Sequence, residues 1–210
     1  MSTPSLFKNG PSAALTRTSV HPVDPQFLGR WSPRAYAEAD ISEAELMTMF
    51  EAARWAPSCF NTQPWRFLYA RRGTPDWQRF LGLLIDFNQG WAKNASALVI
   101  IVSKTRTINP ANGELVPVTY HAFDTGAAWA QLALQAQLHG WQAHAMAGFD
   151  SARAATELNI PEDYAVQVAV AIGREGDATI LPEKMAAREL ASEREPLSAL
   201  AFAGAYPPAP

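Results

Sequence analysis

The stretch Ala56-Pro57-Ser58-Cys59-Phe60-Asn61-Thr62-Gln63-Pro64-Trp65 joins a predicted helix to a predicted strand. The helix starts at the capping box of Ser42 and Glu45 and stops at Pro57. The residues from Arg66 to Arg71 are typical of a strand. The loop holds a hydroxyl, two amides and a thiol between prolines that stiffen it, so it can present donors and acceptors to a planar heterocycle. The alternative is a structural loop whose amides bond its own backbone.

Outward from this loop, helices and strands alternate along the chain. The further predicted elements are a helix opened by Thr74 and Pro75, a buried strand over 97–103, a long helix over 124–139 ended by Gly140, a short helix over 151–158 and a strand through Val166, Val168, Val170 and Ile172. The long helix is apolar on most of its circumference, which predicts burial in the centre of the protein or in a subunit interface. No glycine-rich turn of the dinucleotide-binding type occurs. The pattern therefore predicts a sheet wrapped by helices.

Composition narrows the class of protein. The 210 residues are 48% hydrophobic and 18% charged, which suits one ordinary domain with a core, and we expect residues 1–25 to form an arm or tail and 26–210 the domain. The net charge of -3 argues against a nucleic-acid partner. No run reaches the roughly 18 apolar residues of a membrane helix, and the start lacks the pattern of a secretory signal. With one cysteine, Cys59, these features predict a cytoplasmic protein.

A cluster of basic residues stands near the start of the predicted domain. Arg30, Ser32 and Arg34 place two guanidinium groups and a hydroxyl within five residues. Such groups can converge on one phosphate, because the planar fork of arginine bonds two oxygens at once. The alternative is a surface turn with solvated arginines.

Taken together, these segments give the chain a resemblance to the nitroreductase family of FMN enzymes. The matching parts, in the order of the family, are Arg30-x-Ser32-x-Arg34, Ala56-Pro57-Ser58-x-x-Asn61-x-Gln63-Pro64-Trp65-Arg66-Phe67, Asn88, Asp124-x-Gly126, Gly148-Phe149-Asp150 and Arg194-x-Pro196-Leu197. They extend from residue 30 to about residue 200. The resemblance implies an α+β fold, with a mainly antiparallel central sheet wrapped by helices and a C-terminal segment that extends onto a partner subunit.

The resemblance also implies roles for individual residues. It assigns the FMN phosphate to Arg30, Ser32, Arg34 and Arg194. It places the loop residues Pro57, Ser58, Cys59, Asn61 and Gln63 along the flavin ring and ribityl chain. Asn88 resembles the asparagine that reaches the ring from the next segment, and Ala147 and Gly148 match the backbone positions that face its N5 and O4 edge. No metal ligand set is implied, and His121, His139 and His144 fit no standard zinc spacing.

The function implied is the ping-pong transfer of electron pairs from NADH or NADPH to a small organic acceptor such as a nitroaromatic or a quinone. The flavin carries this chemistry, so no catalytic side chain is required. The resemblance further implies a homodimer with FMN sites at the subunit interface. The alternatives are a non-catalytic flavin-binding protein and a specialised relative, such as a flavin-fragmenting or reductively dehalogenating enzyme.

Two departures from the family pattern concern the ring end of the site. Trp91 stands where several relatives carry a lysine, and Ala147 stands where some have a glutamate, so we expect a less charged pocket. Trp91 is itself a candidate to line that pocket. The segment from Ile108 to Tyr120, with two prolines and a glycine, can form a lid over the substrate.

Overall fold

In the computed structural model, residues 16–207 are described, so residues 1–15 of the predicted arm lie outside the described chain. The helices are α1 (Pro25–Gly29), α2 (Glu43–Arg54), α3 (Trp77–Gly82), α4 (Asp86–Ala92), α5 (His121–Leu138), α6 (Ser151–Glu157) and α7 (Glu183–Ala186). The strands are β1 (Trp65–Arg71), β2 (Ala97–Lys104), β3 (Arg106–Ile108), β4 (Leu115–Pro117), β5 (Gln142–Met146) and β6 (Tyr164–Gly173).

A four-stranded antiparallel sheet forms the centre of the protein, with the strand order β1-β2-β6-β5. Ile101 of β2 lies opposite Phe67 of β1 on one side and Val168 of β6 on the other. Strand β5 forms the far edge, where Ala145 lies opposite Val170 of β6. Strands β3 and β4 form a separate hairpin. The predicted α+β fold with a mainly antiparallel sheet is confirmed.

Strand β2 is buried on both faces, as its continuous apolar run predicts. Leu98 and Ile100 belong to a core cluster that also holds residues of α3 and α4, whereas Val99 and Ile101 belong to a second cluster with α2 and α5. Each of these side chains contributes about 1.5–3 kcal/mol when it is fully removed from water. Because helices cover both faces of the sheet, the residues that can bind a ligand lie at its edges and in the segments beyond the strand ends.

Helix α2 follows the prediction closely because its start is encoded locally. The Ser42 hydroxyl accepts a hydrogen bond from the Glu45 N–H at 3.2 Å, and the Glu45 carboxylate accepts one from the Ser42 N–H at 2.9 Å. Such caps stabilise a helix by about 1 kcal/mol. The buried face of the helix is formed by Leu46, Met49 and Ala53.

The helix predicted from Thr74 corresponds to α3, which begins at Trp77, and after a turn it is followed by α4, which the sequence pattern did not predict. In this turn, Ile85 N–H donates to the Gly148 carbonyl at 3.1 Å, and the Leu83 carbonyl accepts from Asp150 N–H at 2.8 Å. These bonds fasten the turn to the segment that follows β5. The turn therefore brings α4, and with it Asn88, next to Gly148.

Helix α5 begins at His121, about one turn earlier than predicted, and ends at Leu138 before Gly140 (φ 74°). Only one of its faces is buried within the chain, and Phe123 on another face is 79% exposed. The helix therefore contributes one stripe, not its whole circumference, to the core of its own chain.

The segment that follows α1 and the segment that follows β6 are hydrogen-bonded to each other at residues 35–37 and 174–176. The Ala37 N–H donates to the Arg174 carbonyl and the Gly176 N–H to the Ala35 carbonyl, each at 2.9 Å. These bonds pin the residues that follow β6 against the residues that follow α1. None of the helices within residues 16–207 is long and apolar enough to cross a membrane.

Candidate functional site

A pocket of about 300 Å³ lies between the N-terminal and C-terminal segments and collects much of the positive charge of this region. Its lining is formed by Arg17, Arg30, Trp31, Ser32, Arg34, His144, Arg188, Leu190, Ser192 and Arg194. This arginine pocket brings together all four residues to which the resemblance assigns the phosphate. No motif in the sequence pointed to Arg17 or Arg188, since charged residues near chain ends are equally typical of a solvated tail. His144 was considered in the sequence only as a metal ligand.

Glu189 explains how distant segments meet at this pocket. Its carboxylate accepts hydrogen bonds from the backbone N–H groups of Arg34 and Ala35, the latter at 2.7 Å. The same carboxylate lies 3.7 Å from the Arg34 guanidinium. Its side chain is only 3% exposed, so this contact is shielded from water. Glu189 thus holds the C-terminal segment over the strip that carries Arg30, Ser32 and Arg34.

The pocket concentrates like charges. Burial, together with the neighbouring charges of Arg194 and Arg17, lowers the pKa of Arg30 from its ordinary value. Like charges held close together disfavour each other's charged form, and a bound anion removes that cost. The Arg30 guanidinium also lies 3.4 Å from the Ser32 hydroxyl, so both groups face the same space. This arrangement suits a phosphate group.

His144 forms the inner wall of the arginine pocket. Its Nδ1 lies 2.9 Å from the Pro33 carbonyl, which can only accept, so Nδ1 carries the proton. Burial lowers the pKa of His144 from its ordinary value, with the nearby charge of Arg34 adding to the effect. The ring lies 4.8 Å from the indole ring of Trp91. His144 therefore connects the arginine pocket to the interior side of α4.

On the other side of Trp91, Asn88 contacts Gly148. The Trp91 indole N–H donates to the Asn88 side-chain oxygen at 3.2 Å, and the Asn88 amide donates to the Gly148 carbonyl at 2.9 Å. A Cβ on Gly148 would lie 2.6 Å from the Asn88 amide nitrogen, so this close approach requires glycine. Asn88, Ala147 and Gly148 thus form a corner that adjoins the arginine pocket through Trp91 and His144.

The expectation that Trp91 lines a pocket is wrong. Its side chain is 1% exposed and belongs to the core cluster beneath α4. It has this place because the indole packs between Tyr36 and His144 while its N–H satisfies Asn88. Trp91 therefore holds His144 and Asn88 in place from within the core.

The loop over 57–63 has an unusual backbone. Phe60, Asn61 and Gln63 have positive φ values of 51°, 55° and 46°. For residues other than glycine this conformation costs about 1–3 kcal/mol, and such strain is concentrated at functional sites. The loop is fixed by the Cys59 N–H, which donates to Asp124 of α5 at 3.0 Å, and by the Ser58 hydroxyl, which accepts from the Gln63 N–H at 3.0 Å.

The polar side chains of this loop differ in their freedom. The Gln63 amide donates to the Asn61 carbonyl at 3.1 Å, as the alternative of a self-bonded loop predicts. The side chain of Asn61 is exposed and bonds to none of the described residues. Pro57 is exposed, and Ser58 and Cys59 are half-buried. Asn61 is therefore the loop amide that is available to a ligand.

A second cleft, of about 550 Å³, lies between this loop and the β3–β4 hairpin. Its lining is formed by Cys59, Phe60, Thr62, Thr107, Ile108, Asn109, Pro110, Val116, Pro117, Val118, Thr119 and Tyr120. None of these residues is a lysine, arginine, histidine, aspartate or glutamate. Most of the segment predicted as a lid, Ile108 to Tyr120, is thus part of a hairpin and of the wall of a neutral cleft.

The two parts of the site are at opposite edges of the sheet. The loop leads into β1, while Ala147 and Gly148 follow β5, and these are the two outer strands. Three strand spacings separate them, which amounts to about 14 Å. The cleft and the arginine pocket share no lining residue. One chain therefore presents a phosphate-type pocket with an amide corner on one edge and a neutral loop on the other.

The fold is α+β, with a basic pocket at one edge of the sheet and a neutral loop at the other. The model of the nitroreductase family matches residues 28–76 and 76–174. The chain therefore belongs to the nitroreductase family.

Individual relatives agree with this assignment. A solved structure described as an oxidoreductase containing FMN is 47% identical, covers 91% of this chain and 96% of its own, and superposes with a TM-score of 0.88. A candidate nitroreductase of Exiguobacterium sibiricum 255-15, solved in complex with FMN, is 25% identical over 88% of this chain and 99% of its own, with a TM-score of 0.69. YdgI of Bacillus subtilis, named as a candidate NAD(P)H nitroreductase, is 28% identical over 71% of this chain and 86% of its own.

The histidines lie apart from one another. His121 contacts the Ser103 hydroxyl at 2.7 Å, whereas His144 lines the arginine pocket. Within residues 16–207, no group of three or more histidine, cysteine, aspartate or glutamate side chains is placed to hold a metal ion.

Proposed function

We propose that this protein is an FMN-dependent oxidoreductase that moves electron pairs from NADH or NADPH to a small organic acceptor such as a nitroaromatic or a quinone. The observation that carries the proposal is that the arginine pocket adjoins the corner of Asn88 and Gly148, the two being linked by the packed side chains of His144 and Trp91. FMN is complementary to this arrangement, because it has a phosphate at one end and a ring with hydrogen-bonding atoms at the other. The FMN in two of the similar structures supports the cofactor.

The phosphate end fits the arginine pocket. Arg30, Ser32, Arg34 and Arg194 would hold the phosphate, as the resemblance implies. Part of the charge of Arg34 is already balanced by Glu189, whereas Arg30 faces the like charges of Arg194 and Arg17. A phosphate dianion relieves that repulsion and accepts several charged hydrogen bonds, each of which contributes about 1.5–3 kcal/mol.

The ring end fits the corner of Asn88, Ala147 and Gly148. The Gly148 carbonyl is occupied by Asn88 and Ile85, but the Gly148 N–H has no acceptor within the described residues. A free backbone N–H at this place would stabilise negative charge on the reduced ring. When bound, FMN would accept a hydride from the nicotinamide and give an electron pair to the acceptor, so the side chains need only bind, orient and exclude water.

The opposite edge of the sheet supports a homodimer. The loop residues Pro57, Ser58, Cys59, Asn61 and Gln63 lead into β1, three strand spacings from the corner that follows β5. The neutral cleft beside them shares no lining residue with the arginine pocket. In a two-fold dimer, the loop of the partner subunit would complete each site. Exposed apolar side chains of the C-terminal segment, Leu197, Leu200 and Tyr206, are available to cover that partner. We infer that this segment extends onto the partner subunit.

The neutral cleft beside the loop supports a small uncharged acceptor. Its volume is in the range of small-molecule sites, and it offers hydroxyl and amide groups with apolar walls.

We expect this protein to act in the cytoplasm, where its single cysteine remains reduced.

The test is an anaerobic absorbance spectrum of the purified protein with FMN, before and after addition of NADH or NADPH. The expected result is a set of bound flavin bands that bleach with the nicotinamide and return with a nitroaromatic or a quinone. Bound flavin that no nicotinamide reduces would indicate the non-catalytic alternative. Mass spectrometry of the flavin after turnover covers the remaining alternative, since a flavin-fragmenting relative would consume the FMN.

A further inference from the structure

Arg17 reaches the arginine pocket from outside the part of the chain that matches the family. The family match begins at residue 28, whereas Arg17 belongs to the segment before α1. Its Nη1 donates to the Leu28 carbonyl at 3.1 Å and to the Arg30 carbonyl at 2.9 Å. The side chain therefore lies across the start of the strip that carries Arg30 and Ser32, and it lines the same pocket.

These two hydrogen bonds leave most of the Arg17 guanidinium unused. Its Nε is buried without a hydrogen-bond partner, and its Nη2 bonds to none of the described residues. No carboxylate within the described residues lies within ion-pair distance of it, although the charge of Glu193 offsets part of the repulsion. Burial and the charge of Arg194 lower the pKa of Arg17. A buried donor without an acceptor is costly, which indicates that a ligand supplies the acceptor.

We propose that Arg17 is a further phosphate-binding residue of this protein, through which residues 16–24 close the arginine pocket over the FMN phosphate. This inference rests on the function proposed above. With Arg30, Arg34 and Arg194, it places four guanidinium groups around one phosphate, contributed by three segments of the chain. The free edge of Arg17 can donate two bonds to a phosphate oxygen pair while Nη1 keeps its contacts with the backbone.

A purely structural role makes a different prediction. If the only role of Arg17 were to donate hydrogen bonds to the carbonyl groups of Leu28 and Arg30, its loss would lower the stability of the fold. The binding of any flavin would then be weakened. If it binds phosphate, its loss weakens the binding of FMN but not of riboflavin, which has the same ring without the phosphate. The comparison of the two ligands therefore separates the roles.

The experiment measures the dissociation constants of FMN and riboflavin, by quenching of flavin fluorescence, for apoprotein carrying Arg17→Gln or Arg17→Lys. The Gln variant keeps a donor for the carbonyl groups but loses the charge, whereas the Lys variant keeps the charge. Arg79→Gln is the control, because Arg79 is an exposed arginine of α3 paired with Asp76. We expect Arg17→Gln to weaken FMN binding about tenfold, Arg17→Lys to restore most of it, and all three variants to bind riboflavin as the unchanged protein does.

Three results would overturn the inference. One is an Arg17→Gln variant that binds FMN as tightly as the unchanged protein. Another is an equal loss of FMN and riboflavin affinity, together with a lower unfolding midpoint of the apoprotein, which would make Arg17 a structural brace. Unchanged protein that takes up no FMN would overturn the proposed function as well, and this outcome is distinct because it does not depend on any variant.

Discussion

The arginine pocket and the loop over 57–63 contrast in how they are built. The pocket is charged, and its residues come from segments that are more than 150 positions apart in the chain, held together by Glu189. The loop is neutral and consists of consecutive residues. Prolines at both ends restrict its backbone, and three of its residues have positive φ values. The pocket forms only when distant segments of the chain have packed together. The conformation of the loop depends on its own residues and on one hydrogen bond to Asp124 of α5.

This difference fits the two tasks that the proposed binding of FMN would require. A phosphate is retained by charge, and several arginines can share that work from any direction. A ring needs a few donors in fixed places, which a stiff loop and a glycine corner supply. We therefore expect changes in the pocket to affect ligands with a phosphate, and changes at the corner or the loop to affect every flavin.

The largest effect is expected from Arg30→Ala. Removing this half-buried guanidinium from the pocket should weaken FMN binding by about 1.5–3 kcal/mol, which is roughly 10- to 150-fold in Kd. Riboflavin binding should not change. Titration of the apoprotein with both flavins measures this. Unchanged FMN affinity would remove Arg30 from the phosphate site.

The second prediction tests whether pocket and loop of one site belong to different chains. Arg30→Ala disables the pocket, and Asn61→Gly removes the loop amide while tolerating its positive φ. When the two inactive variants are unfolded and refolded together, about half of the dimers are mixed, and each of these has one unchanged site.

Activity at limiting FMN should then recover to about a quarter of that of the unchanged protein, since one site in four is intact. Each variant refolded alone is the control. A mixture that stays as inactive as its components would mean that both segments serve a site within one chain.

Gly148→Ala tests the corner between the two regions. The added Cβ would lie 2.6 Å from the Asn88 amide nitrogen and 2.7 Å from Ile85 Cδ1, so the corner must move, at a cost of about 1–3 kcal/mol. Unlike Arg30→Ala, this change should weaken FMN and riboflavin alike. Gly82→Ala is the matched control, because nothing lies within 4 Å of its added Cβ. A loss confined to FMN would place the ring elsewhere.

The smallest effect concerns His144 and pH. Burial lowers its pKa, so the folded apoprotein binds this proton less readily than the unfolded chain does. The contribution to stability is complete above the ordinary value of 6.5 and is lost as the pH falls below it. We expect the unfolding free energy of the apoprotein to fall with acidification, and to fall less in His144→Asn, which keeps a donor for the Pro33 carbonyl.

Urea unfolding of the apoprotein at several pH values from 7.5 downward would measure the difference. His21→Asn is the control, since His21 is exposed. Parallel pH dependence in the His144 variant and the unchanged protein would show that His144 is not the group responsible.

Local signals in the sequence determined several elements of this protein. The capping box of Ser42 and Glu45, the apolar run of β2 and the glycine after α5 each specify their element within a few residues, and they appear in the fold as predicted. The same locality made the motifs recognisable, so the family and the four proposed phosphate-binding residues could be named from the chain alone.

Only the tertiary structure decided the rest. The turn between α3 and α4, and with it the unpredicted helix α4, depends on hydrogen bonds with residues 148 and 150, and no neighbouring residue in the sequence indicates it. Trp91 is buried because Tyr36 and His144, distant in sequence, pack against it. Arg17 joins the pocket through carbonyl groups eleven and thirteen positions away. Each of these places is set by contacts between segments, and the pattern of a single segment carries no information about which distant residue will meet it.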